Sequence, residues 1–260
     1  MRKTLIILGL MLLAATSVPA QRRHHVPRRT HVADTLKQQK EDVWKAFLNS
    51  DEYPDGTRYL PPPPDSLSQA FITDIIRYHE GKTMRHGERA AQAVREAGLS
   101  VREIMSDVST AFGCQLTPEA LPELGKLISC VTTDACGSTS KAKRYYQRKR
   151  PFLYFREPTL IPEEEASHHT PSYPSSHSAT GWALALVLAE LNPGQQEALL
   201  QWGYEFGQSR VIAGYHYQSD VDAARLAASA VVARLHANEA FQRQLNKAKR
   251  EILPLLGSGK

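Results

Sequence analysis

Cysteine is scarce in this sequence: three residues in 260, at Cys114, Cys130 and Cys136. Three thiols at those spacings exclude a disulfide-dense scaffold and do not make a zinc site. Sustained strand alternation is missing throughout, and so is any repeat. Beyond the first twenty residues, no apolar run approaches the length of a membrane span. A large excess of one charge is missing too: 32 Lys and Arg face 27 Asp and Glu, a formal +5. Nucleic acid is not needed as a partner to explain that balance. What remains is a chain with 42% hydrophobic residues, enough for one substantial core.

The N-terminus reads MRKTLIILGLMLLAATSVPAQ. Arg2 and Lys3 precede an apolar stretch from Leu5 to Ala15 and a small-residue site at Val18-Pro19-Ala20. That is the pattern of a cleaved secretory signal over residues 1–20, too short for a stable membrane anchor. Export places the protein in the periplasm or outside the cell. An oxidising compartment then favours one disulfide among the three cysteines, its pairing open. Residues 21–57, including QRRHHVPRRTH, read as a basic and flexible extension without apolar periodicity. Residues 58–260 are expected to form a single all-α domain.

Within that domain, Pro61–Pro64 make a stiff extended lead-in. Asp65 or Ser66 is the expected N-cap of the helix in LSQAFITDIIRYHEG. Further helices are expected at about 85–97, 100–112, 118–134 and 138–149. REPTLIPEEEASHHTPSYP, with four prolines, reads as a long loop, and its EEEASHH as solvated charge rather than a metal site. ATGWALALVLAEL, GQQEALLQWGYEFGQSR and the stretch from Asp220 to about Leu253 complete the helical set. Trp182, Leu184, Leu186 and Leu188 are expected in the core; Trp202, Tyr204 and Phe206 in the core or at a subunit contact.

Three clusters carry polar groups that a core does not require. In KAKRYYQRKRPF, Lys143 and Arg150 are seven residues apart, which on one helix puts them on one face. Pro151 would place Arg150 at that helix's end. A guanidinium fork and an ammonium suit the oxygens of a phosphate, although a basic solvated face uses the same residues. In PSYPSSH, Ser175, Ser176 and His177 precede a buried helix, whose free N–H groups favour an anion. Serines there also serve as simple caps. In SRVIAGYHYQSD, Arg210 ends one helix, and His216 and Asp220 are four apart. That spacing lets a carboxylate hold the imidazole and fix its tautomer.

In the order K-x6-R-P, P-S-x-H and S-R-x5-H-x3-D, these clusters resemble the acid phosphatase and vanadium haloperoxidase superfamily, which includes the type 2 phosphatidic acid phosphatases. YLPPPP near Tyr59 and SRVIAGYHYQSDVDAAR are similar to the secreted class A bacterial nonspecific acid phosphatases. The resemblance covers about residues 58–250. It implies a helical phosphatase that hydrolyses small phosphomonoesters without a cofactor or metal, with transfer to alcohols as a second capability and a homo-oligomer as its assembly. It also implies the roles. His216 attacks phosphorus, Asp220 orients it, and His177 protonates the leaving group and then activates water. Lys143, Arg150, Arg210, Ser175 and Ser176 hold the phosphate oxygens. On this scheme His216 is neutral while His177 is charged, an arrangement that favours an acidic optimum.

The same oxyanion cradle also fits a vanadate-dependent haloperoxidase, although the compact length argues against it. A non-catalytic phosphoester binder is the third reading. It rests on one departure, Ser176 where relatives carry glycine. If that turn requires φ > 0, serine costs about 1–2 kcal/mol and loosens the site. If it does not, the hydroxyl adds a donor.

Overall fold

The computed structural model describes residues 46–168 and 170–257; the expected signal peptide and most of the basic extension lie outside them. Ten α-helices occur among the described residues, with no strand. They are α1 Gln69–Thr83, α2 Gly87–Arg95, α3 Val101–Phe112, α4 Pro122–Ser138, α5 Ser140–Tyr146, α6 Pro151–Phe155, α7 Ser176–Leu191, α8 Gln196–Ala213, α9 Gln218–His236 and α10 Glu239–Leu256. Short 3-10 turns at Pro162–Ser167 and Pro193–Gln195 complete the order. None of these helices is long and apolar enough to cross a membrane.

Helix α7 is the centre. Its sequence is apolar on nearly every side, as expected of a helix enclosed by others, and it packs against α4, α8 and α9. Leu184 and Leu188 are in the core as expected, whereas Trp182 and Leu186 are half-buried at its margin. Trp202 and Phe206 of α8 are buried, with the indole N–H of Trp202 donated to Asp107 at 2.7 Å. Tyr204 is instead exposed beneath the Arg225 guanidinium. Helices α7 and α8 cross closely because glycines line the crossing. A Cβ on Gly203 would lie 2.4 Å from Ala185 Cβ and 2.9 Å from the Gly181 carbonyl oxygen. That close approach brings the start of α7 beside the end of α8, where the polar clusters sit.

Several local expectations need correction. The N-cap of α1 is Ser68, whose Oγ accepts from Phe71 N; Asp65 instead closes the preceding turn through Leu67 N. Ordered packing starts ahead of residue 58. Buried Asp134 of α4 accepts from the backbone N–H groups of Phe47 and Leu48 and from the Tyr53 hydroxyl, and Leu48 enters the core. The three cysteines form no disulfide with one another. Cys130 and Cys136 share α4 six residues apart, a rise of about 9 Å that a disulfide cannot span.

The expected single helix over 138–149 is broken. Helix α5 ends at Tyr146, Gln147 adopts the left-handed conformation (φ 49°), and Arg150 is extended as the N-cap of α6, with Pro151 at its first position. Proline stops one helix and starts the next, since it fixes φ and needs no N–H donor there.

Candidate active site

The start of α7, the end of α8 and the start of α9 meet at one place. The Ser175 N–H donates to the Asp220 carbonyl at 3.0 Å, tying α7 to α9. Helix α8 closes on Gly214, left-handed at φ 90°, and the turn that follows returns Tyr215 N and His216 N to the Arg210 carbonyl. His216 thus stands just ahead of α9, with Asp220 in that helix's first turn.

The hydrogen bonds of His216 define its tautomer. Nε2 lies 3.0 Å from Arg150 Nη1, which can only donate, so Nε2 is the acceptor. The proton is then on Nδ1, 3.3 Å from Asp220 Oδ2. Asp220 is fully buried, and the same oxygen accepts from Tyr217 N at 2.9 Å. Burial, then Arg150, Lys143 and Arg210, hold His216 well below the usual imidazole value. The result is a neutral imidazole with its Nε2 lone pair facing cations.

Three buried cations, Arg150 in direct contact and Lys143 and Arg210 acting on the ring by charge, stand near His216. Lys143 Nζ donates to the carbonyls of Pro171 at 2.7 Å and Ser172 at 3.4 Å. Arg150 reaches Thr170 through Nε and Nη2 and the Tyr215 carbonyl through Nη1. Both come to the site through the loop before α7 and a reversal of the chain, not from one helix face. Arg210 is 2% exposed, stacked over Tyr215 at 4.4 Å, and its Nε and Nη1 have no hydrogen-bond partner. Burial, then the neighbouring Arg150, lowers Lys143 to about 7. Burial likewise lowers Arg150 to about 10 and moves Arg210 down. Unpaired donors on a buried guanidinium are costly without an anion to receive them, so this cluster is built for one.

His177, at the second residue of α7, stacks on Phe206 with ring centroids 4.5 Å apart and 9° between planes. Its Nε2 is 2.6 Å from the Glu96 carbonyl, so that nitrogen carries the proton and Nδ1 is the acceptor. Burial, then Arg210, pushes His177 well below its usual value. The expected contrast of a neutral His216 with a charged His177 is therefore absent here; both are driven neutral. An anionic oxygen against the three cations would reverse that push and favour a protonated His177.

The serines differ from expectation. Ser175 is the N-cap of α7, its Oγ accepting from Ser178 N and Ser178 Oγ. Ser176 is helical, and the non-glycine residues with positive φ are Gln147 and Arg156 among those described. The turn thus demands no left-handed residue, and serine carries no backbone penalty. Nor does its hydroxyl add a donor to the anion seat, because it pairs with Thr139 Oγ1 at 2.7 Å. Backbone N–H groups at the start of α7 are what this segment offers an anion.

Other residues here were not singled out from the sequence. Arg148 bonds Asp220 and Asp74, a contact between residues 74 apart along the chain that no local pattern announces. Within EEEASHH, Glu165 and His168 are less solvated than expected. Glu165 accepts from Thr159 N at 2.7 Å, and the His168 ring packs 4.3 Å from Tyr215, beside the site. Among the described residues no group of His, Cys, Asp and Glu is placed to hold a metal ion.

The depressed groups have a consequence for stability. Between about 7 and 10.5, Lys143 is largely neutral when folded but protonated when unfolded. The unfolded chain then binds more protons, so stability rises with pH across that window. The urea midpoint of the phosphate-free protein is expected to climb over this range, and Lys143→Met to remove most of the climb.

The pattern that describes the PAP2 superfamily matches residues 123–243. The chain is 44% identical over 211 residues to a non-specific acid phosphatase of Providencia stuartii, covering 80% of this chain and 85% of that one. It is 39% identical over 208 residues to a non-specific acid phosphatase of Salmonella typhimurium, covering 79% and 83%. An acid phosphatase of Zymomonas mobilis is 34% identical over 199 residues, covering 76% of this chain and 75% of its own. Identity at that level across four-fifths of the chain, together with the cations gathered round His216, leaves one assignment: the chain belongs to the PAP2 superfamily, among its class A acid phosphatases.

Proposed function

We propose that the protein is an acid phosphatase that hydrolyses small phosphomonoesters through a phosphohistidine at His216, without a metal ion. The observation that carries this reading is the buried Arg210 guanidinium, with two unpartnered nitrogens, near enough to His216 and Arg150 to lower the pKa of both, while Arg150 and Lys143 add their charge beside the Nε2 lone pair of His216. The nonbridging oxygens of a phosphate monoester supply the acceptors those donors lack.

Binding of the ester draws Arg150 from Nε2 to a phosphate oxygen and leaves the lone pair directed at phosphorus. Nε2 forms the P–N bond as the P–O bond to the alcohol breaks, and Asp220 stabilises the positive charge that builds on the ring. His177, protonated at Nδ1 once the dianion offsets the cations, gives that proton to the leaving alkoxide. The now neutral ring accepts a proton from water as water attacks phosphorus. The P–N bond breaks, inorganic phosphate leaves, and both histidines return to their first state. An alcohol in place of water gives phosphate transfer by the same step. Three cations and the start of α7 supply the charge stabilisation a metal gives elsewhere.

The N-terminal signal pattern supports action in the periplasm or outside the cell. Turnover of p-nitrophenyl phosphate by the purified mature protein tests the reading. Activity below neutral pH that survives a chelator supports it. Activity that is lost with the chelator and restored by a divalent metal overturns the metal-free mechanism.

A further inference from the structure

Asp220 makes more contacts than orienting one imidazole requires. Its Oδ2 serves His216 and Tyr217 N, while its Oδ1 accepts from Arg148 Nη1 at 2.6 Å. The other arm of the guanidinium, Nη2, reaches Asp74 Oδ2 on α1 at 2.7 Å. Ser219 sits between the two acids, giving its N–H and hydroxyl to Asp74 at 2.9 and 2.5 Å and receiving Arg148 Nη1 at 2.8 Å. The guanidinium lies over Tyr217 at 4.1 Å, and the Arg148, Asp74 and Asp220 side chains are 8%, 3% and 0% exposed. Two carboxylates from α1 and α9 thus share one buried cation directly behind His216.

We propose that Arg148, tethered by Asp74, is a positioning residue for His216: it clamps the far edge of Asp220 and takes up part of its charge, so that Asp220 orients the imidazole without drawing a second proton onto it. This rests on the reading of His216 as nucleophile. A full carboxylate charge beside an imidazole favours the imidazolium, whose Nε2 lone pair is occupied and cannot attack. Around His216, the cations Lys143 of α5, Arg150 at the start of α6 and Arg210 of α8 oppose that protonation, as does His168 of the loop, while His177 of α7 is itself driven neutral. Asp220 of α9 promotes it. Arg148 restrains Asp220, and Asp74 restrains Arg148.

The arrangement makes opposite predictions for two residues on one guanidinium. Arg148→Gln leaves Asp220 without its cation. The His216 imidazole titration, followed by 15N NMR in phosphate-free protein, then moves up by about one unit, with the acidic limb of kcat/KM following it. Asp74→Asn keeps the side-chain shape but removes the competing carboxylate, so Arg148 acts on Asp220 alone and both readouts move down. Arg148→Lys, which keeps the charge, returns the limb most of the way to wild type. Opposite movements support the proposal. Movement in the same direction, or none, in variants whose circular dichroism is native overturns it. If Arg148→Gln does not fold, Asp74→Asn decides alone: a fall supports the proposal, and a rise or no change overturns it. The NMR titration needs no turnover, so it stands apart from whether His216 carries the phosphoryl group.

Discussion

His216→Ala is expected to lower kcat/KM for p-nitrophenyl phosphate by about 10⁴-fold or more while leaving the fold intact. The magnitude follows from what is removed. His216 Nε2 is the nucleophilic atom the site presents: the Nδ1–Asp220 contact keeps the ring's one proton on the other nitrogen, and the Arg150 donor at Nε2 opposes a second. The alanine variant retains Lys143, Arg150, Arg210 and the start of α7, so it still binds phosphate and retains some rate over water from charge stabilisation alone. Binding kept with turnover lost separates loss of the nucleophile from collapse of the site. A variant with turnover near wild type would assign the attack to another group.

Arg210→Met is expected to act in opposite directions on stability and activity. A buried guanidinium with two unpartnered nitrogens costs the substrate-free protein, and a methionine of similar length fills the space without that cost. The phosphate-free variant should therefore be more stable, by about 1 kcal/mol or more. Its kcat/KM should nonetheless fall by about 10²–10³-fold, because donors aimed at developing oxyanion charge are gone. Urea unfolding with and without inorganic phosphate checks both halves: wild type gains stability on adding phosphate, and the variant gains much less. A variant destabilised without phosphate would show that Arg210 serves the fold first.

Much of this site was readable before the structure, for an identifiable reason. His216 and Asp220 are four residues apart across one helix start, and Ser175 to His177 lie within one turn, so local spacing carries their geometry. The all-helical fold was legible from the lack of strand alternation and from helical segments separated by Gly and Pro. Lys143 and Arg150 do come near each other, but not on the one helix face that their spacing suggests. The left-handed Gln147 splits their helix, and the two meet through the carbonyls of residues 170–172. The protonation of His177 was not legible, because it depends on burial against Phe206 and on Arg210, contributed by α8. Contacts between distant elements were closed to sequence reasoning altogether. Asp134 reaching back to Phe47, and Asp74 reaching Arg148, join segments whose own patterns read as ordinary helix and ordinary coil. Ser176 is the instructive case. Its departure from glycine raised a question of backbone strain, and helical φ with a hydroxyl turned to Thr139 removes it.

The most direct test of the central claim is acid-free quenching of the enzyme during turnover of a 32P-labelled phosphomonoester, followed by peptide mapping. The label is expected on the peptide carrying His216, stable to base and released by acid as a phosphoramidate is. Label on a serine or on another histidine, or none under conditions where product forms in a burst, would contradict it.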